Sequence, residues 1–190
     1  MSVTSGPERR LTYDDFLLFP DDGKRHEIID GVHYVTPSPN LGHQELLGRL
    51  YLAIANFLST RRYIGRVFLS PLDVVMSKYD VVEPDLLFVA GDQESILTEA
   101  NVQGAPALVV EILSPSTRHR DQWIKRRLFD QTGVREYWMV DPKAQRITVC
   151  RRDSRGAFPV VATLDADANA ELTTPLLPEF RLSMRDLFAA

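Results

Sequence analysis

The sequence predicts a single soluble α/β domain, and three observations carry that prediction. Ala107–Ile112 is almost wholly apolar, the signature of a central strand buried on both faces. From His43 to Leu58, apolar Leu46, Leu47, Leu50, Tyr51, Ile54 and Leu58 recur at helical spacings, so one face of a helix is built to cover a sheet. The chain has 190 residues, enough for one substantial core but crowded for two, since a domain typically takes roughly 100–150 residues. Residues 1–10 read as a flexible tail and residues 11–190 as the domain.

Along the chain, Thr12 is placed to cap a short helix through Phe19, with Asp15 in the capping-box position. Arg25–Asp30 and Val32–Val35 read as two strands joined by an Asp-Gly turn. Pro37–Gly42 is a loop, and Asn40 or Gly42 starts the long helix. Tyr63–Leu69 and Leu72–Met76 read as strands that meet near Ser70–Pro71. Leu86–Val89 is a short apolar strand introduced by Glu83, Pro84 and Asp85. After Ala107–Ile112, Ser114–Pro115–Ser116–Thr117 supplies a turn and an N-cap for a helix over about His119–Gln131, which Gly133 closes. Val134–Val140, Arg146–Arg151 and Phe158–Leu164 read as further strands, with the turn between the last two at Asp153–Gly156. Ser183 caps a final helix, Met184–Phe188. No internal repeat is present.

Composition excludes several classes. Hydrophobic residues make up 44% and charged residues 25%, the balance of a folded globular chain. The net charge of −4 argues against tight, non-specific nucleic-acid binding but leaves room for a local basic groove. Cys150 is the only cysteine, so no intrachain disulfide and no four-thiolate metal site can form. The start of the chain lacks a signal-like apolar run, and no stretch is long and apolar enough for a membrane span, so the expected location is cytoplasmic. Phosphate-binding, dinucleotide-binding and nucleophile-elbow motifs are absent, as is any H-E-x-x-H arrangement.

The chemistry-bearing residues are acidic. Asp85 opens one apolar strand and Glu111 closes another, so if the strands are neighbours two carboxylates converge at one sheet edge. An oxygen-rich site of that kind suits Mg²⁺ or Mn²⁺. Asp85 reads equally as a strand cap, but Glu111 within VVEIL is costly in a core unless paired or metal-bound. Lys125 follows Asp121 at i+4, which allows a simple helix ion pair or an ammonium that reaches back over the carboxylates. Glu27 either faces solvent or adds a third carboxylate. His43 caps or hydrogen-bonds at the helix start, whereas His26, His33 and His119 lack metal-ligand spacing. Two basic groups, one of Arg118, Arg120, Lys125, Arg126, Arg127 and Arg135 and one of Arg61, Arg62 and Arg66, are either solvated faces or phosphate contacts.

The ordered set HEIIDGVHY at 26–34, PSPN at 37–40, His43, VVEPDLLFV at 81–89, ALVVEILSPST at 107–117, Asp121 with Lys125, and GVREYWMVDP at 133–142 resembles the Uma2 family of restriction-endonuclease-like proteins. The resemblance implies a mixed central sheet flanked by helices and a centre similar to that of PD-(D/E)xK nucleases. Pro84–Asp85 matches the PD element and Glu111 the second acid. Leu113 stands where that pattern has lysine, and the resemblance implies that Lys125 supplies the amine and that Glu27 joins the site. It implies a Mg²⁺ or Mn²⁺ ion held by Asp85, Glu111 and the Ile112 backbone carbonyl, and DNA phosphodiester hydrolysis. Tyr137 and Asp141 are expected to support the fold. The alternative is a catalytically weak nuclease-fold module that binds nucleic acid or protein. A homodimer is also expected, with Phe158–Leu164 and Leu187–Phe188 as the covering surface.

Overall fold

The computed structural model describes residues 9–61, 64–166 and 169–189. Residues 1–8 of the expected tail, together with Arg62 and Tyr63, lie outside those described. Arg9 and Arg10 are already engaged, by ion pairs to Asp15 and Asp30.

The chain opens with α1 (Tyr13–Phe16), whose Thr12 and Asp15 form the reciprocal capping box the sequence predicts. Strands β1 (Arg25–Ile29) and β2 (Val32–Thr36) form the expected hairpin. Its turn holds both Asp30 (φ 53°) and Gly31 (φ 77°) in the left-handed region, the arrangement that Asp-Gly favours. Helix α2 (Leu41–Ser59) starts at Asn40, whose side chain accepts a hydrogen bond from the His43 N–H at 2.9 Å. Strands β3 (Gly65–Leu69), β4 (Val74–Ser77), β5 (Asp80–Val82), β6 (Leu86–Ala90), β7 (Val102–Gln103) and β8 (Leu108–Ile112) follow. A π-helical turn, Arg120–Lys125, then runs into α3 (Arg126–Thr132), which Gly133 ends at φ 91°. The remaining elements are β9 (Glu136–Asp141), β10 (Arg146–Arg151), β11 (Val160–Asp165), β12 (Glu171–Thr174), β13 (Leu177–Ser183) and α4 (Met184–Phe188).

A six-stranded mixed sheet, β11-β10-β9-β8-β6-β3, forms the centre, and a five-stranded sheet, β2-β1-β5-β4-β7, stands beside it. The second sheet divides what the sequence predicts as one central sheet. Short β5 and β7 were not legible as strands, because segments this brief carry too little alternation to show a period.

Side-chain alternation gives each face of the central sheet its own core. Leu108, Val110 and Ile112 of β8 pack with Leu46, Leu47, Leu50 and Ile54 of α2. Val109 of β8, with Leu113 just beyond it, packs with Leu128 and Phe129 of α3 and with Ile29 of the second sheet. Glu111 shares the parity of Val109 and therefore belongs to this second face. Phe158 and Leu187 are 5% and 1% exposed and belong to these internal cores, which withdraws much of the surface on which self-association was expected. Val160 and Val161 stay exposed. Among the described residues no helix is long and apolar enough to cross a membrane.

Candidate active site

Strand pairing brings the two predicted carboxylates together. β6 and β8 are antiparallel with Leu86 opposite Val110, and one further step of that register sets Asp85 against Glu111. From the second sheet, β1 carries Glu27 with the same parity as Ile29, toward the shared core. Glu27 is 1% exposed, so it does not face solvent. The π-helical turn then brings Asp121 and Lys125 over the same spot, both buried. Turns of this kind are rare and concentrate at functional sites.

Lys125 is the hub. Its Nζ lies 2.6 Å from Glu111 Oε1 and 2.7 Å from Glu27 Oε1, with Asp121 Oδ1 at 3.9 Å. Both readings of its spacing therefore hold at once: it neighbours Asp121 on the helix and also reaches the strand carboxylates. Three carboxylates share one ammonium, assisted by Arg120, whose Nη2 is 3.5 Å from Glu27 Oε2. Burial alone would lower the lysine's proton affinity, but the surrounding carboxylates, Glu111 foremost, hold its pKa above the usual value.

The same arrangement divides the acids. Burial and the neighbouring charges of Asp85, Asp121 and Glu27 push Glu111 well above the ordinary carboxylate range, against the pull of Lys125. Asp121 is also raised, chiefly by burial. For Glu27, burial is outweighed by the charges of Lys125 and Arg120, which hold it low. Asp85 drops to about 2, because burial is overcome by the His43 hydrogen bond, the Arg25 charge and the Ile112 N–H.

Asp85 is fully engaged. Its Oδ1 accepts from Arg25 Nη1 at 2.8 Å, and its Oδ2 accepts from the Ile112 N–H at 2.8 Å and meets His43 Nε2 at 3.0 Å. Sequence reasoning missed Arg25 and gave His43 a capping or hydrogen-bonding role at the helix start, without its partner Asp85. Alternation along β1 places Arg25 on the Glu27 face, and the helical period of α2 places His43 on its buried stripe, so both signals were available.

These groups line one pocket of about 540 Å³, bounded by the Pro37–Asn40 loop, the Ser114–Arg118 segment and Pro142–Lys143. Glu27 Oε2 and Asp121 Oδ1 are buried with no hydrogen-bond partner. Unsatisfied oxygens beside a strained set of acids fit a hard divalent cation, which takes oxygen donors and relieves carboxylate repulsion. Among the described residues no three acidic, imidazole or thiol groups already converge as a ligand shell. Ligation by Asp85 would require it to exchange one of its present partners.

Of the basic groups, most members described here are paired internally. Arg118 bonds Asp141 at 2.7 Å, Arg135 bonds Asp92 at 2.7 Å and Arg61 bonds Glu179 at 2.9 Å. Asp141 thus supports the fold at the pocket rim, and Tyr137 donates to the Asp121 carbonyl at 3.1 Å from the core side.

The mixed α/β fold thus gathers paired acids and a lysine at the junction of two sheets. The chain belongs to the Uma2 family, described as "Putative restriction endonuclease", whose pattern matches residues 13–185. It is similar in fold to a solved structure described as "a putative nuclease belonging to DUF820 from Anabaena variabilis", at TM-score 0.78 and 23% identity, covering 94% of this chain and 98% of that one. No curated protein matches the sequence.

Proposed function

We propose that this protein is a Mg²⁺- or Mn²⁺-dependent DNA endonuclease whose centre comprises Glu27, Asp85, Glu111 and Lys125. The observation that carries the reading is the buried group of three carboxylates around Lys125, open to a pocket and short of positive charge. Perturbed carboxylates converging in a cleft are a mark of functional sites. Asp85, Glu111 and the Ile112 carbonyl would hold the ion, which supplies Lewis-acid charge at the phosphate and favours ionisation of an attacking water.

The protein's own groups have separable tasks. Lys125, released in part from Glu111, orients the water and offsets charge developing on the phosphate oxygens. Glu27 holds Lys125 in place through Oε1, which also accepts the Glu83 N–H at 3.0 Å. His43 and Arg25 fix the Asp85 carboxylate from two sides. Burial of the floor excludes bulk water and strengthens each of these interactions.

The full occupation of Asp85 favours a second reading, a nuclease-fold module that binds nucleic acid or protein with little turnover. Incubation of the protein with supercoiled, linear and single-stranded DNA and either metal separates the two. The nuclease reading expects metal-dependent cleavage that falls at least about 100-fold in Asp85→Ala, Glu111→Ala and Lys125→Ala. Absent cleavage at high protein concentration, or cleavage unchanged in the variants, would sink it.

A further inference from the structure

The pocket is deep in a specific sense. Its floor residues Glu27, Asp85, Glu111, Asp121 and Lys125 are 1%, 1%, 4%, 1% and 2% exposed, whereas Pro37, Ser38, Pro115, Ser116 and Lys143 at its mouth are open to solvent. A volume of about 540 Å³ places the cavity among sites that enclose a small-molecule-sized unit. Pro39 and Pro142 also line it, so four prolines from three segments meet around the opening. They present compact, apolar rings with no N–H to donate.

A surface that follows a duplex backbone needs a row of free cations. Here the arginines of the pocket are committed within the protein: Arg25 to Asp85, Arg118 to Asp141, and Arg120 to Glu27 and Thr36. Among the described lining residues, Lys143 is the cation with no ion pair. Inside, two nitrogens have no partner, His43 Nδ1 and Arg120 Nε, both buried on residues that line this pocket. Buried polar atoms are seldom left without a bond in a finished complex, so they point to a ligand bearing polar groups.

From these features we infer that the site takes an unpaired nucleotide, in a single strand or flap, in preference to the backbone of an intact duplex. The inference rests on the nuclease reading and adds the form of the substrate. A duplex is stiff over the length of this pocket, so bringing one of its phosphates down to a buried floor costs deformation of the helix. A single strand bends at each phosphate, and its unpaired base can lie against the proline rings while the phosphate reaches the acids and Lys125.

The test uses one fluorescein-labelled DNA sequence as a single strand, as a flapped duplex and as a hairpin-capped duplex. Anisotropy in Ca²⁺ measures binding, and cleavage in Mn²⁺ is followed separately. Single-stranded and flapped DNA are expected to bind at least about tenfold more tightly than the capped duplex. Ser116→Glu, an exposed change at the mouth, is expected to weaken single-strand binding more than duplex binding. Equal or tighter binding of the capped duplex, or single-strand binding untouched by Ser116→Glu, overturns the inference. A single-strand preference in binding without Mn²⁺-dependent cleavage upholds the substrate form and removes the nuclease reading, so the two fail separately.

Discussion

Two buried glutamates on adjacent parallel strands, Glu111 on β8 and Glu136 on β9, meet opposite electrostatic treatment. Glu136 is 0% exposed, yet both its oxygens are saturated. Trp138 Nε1 donates at 2.6 Å and Arg151 Nη2 at 3.3 Å to one oxygen, while Arg151 Nε at 2.8 Å and Thr174 Oγ1 at 3.0 Å serve the other. That uses the full acceptor capacity of a carboxylate. Glu111 shares one ammonium with Glu27 and Asp121, and partnerless oxygens lie beside it. A saturated carboxylate ties strands together. An under-neutralised one holds unfavourable repulsion, which under the proposed function is kept for chemistry.

The sharpest way to break this contrast is Glu136→Ala. It strips Arg151, Trp138 and Thr174 of their common acceptor and is expected to cost about 3 kcal/mol of stability, a shift readable by urea denaturation. A loss near zero would put Glu136 and Glu111 in the same category. A smaller effect of opposite kind is expected from Lys125→Met. Removing the ammonium frees the acids for a cation, so Mn²⁺ measured by calorimetry should bind about tenfold more tightly even as cleavage is lost. Unchanged or weaker Mn²⁺ binding would show that Lys125 does not compete with the cation for Glu111.

The smallest effect is on pH dependence. Burial and acidic neighbours raise Glu111, and burial with Asp73 raises Glu83 to about 7. Between the ordinary carboxylate value and those raised values the folded protein binds more protons than the unfolded chain, so stability should fall as pH rises through that window. Asp85, lowered to about 2, acts the other way, and its contribution is lost only as pH falls below 3.8. Melting temperatures from pH 5 to 8 should decline less in Glu111→Gln than in the wild type. An identical slope would mean that Glu111 does not titrate in this window.

Much of this was legible in the sequence because the decisive signals are local. The capping box at Thr12, the Asp-Gly hairpin and the apolar stripe of α2 each depend on residues within a turn or two of one another. Glu111 stood out because a charge in an apolar strand is costly wherever that strand lies. What was not legible depends on contacts distant in sequence. The split into two sheets turns on how β1 meets β5 and β4 meets β7, pairings that strands of two or three residues do not announce. The π-helical turn leaves no period of its own within six residues. Arg25 and His43 were visible as members of a strand face and a helix face, but their shared partner Asp85 appears only once both faces are folded against β6.

The central claim, that the Lys125 cluster is kept for chemistry and not for stability, is tested most directly by Glu111→Gln, with its melting temperature and its Mn²⁺-dependent DNA cleavage measured on the same preparation. Replacing this carboxyl by a neutral amide in an over-acidic, buried group should leave the melting temperature unchanged or higher, while cleavage falls at least about 100-fold. A marked drop in melting temperature with cleavage retained would contradict the account and make Glu111, like Glu136, a structural carboxylate.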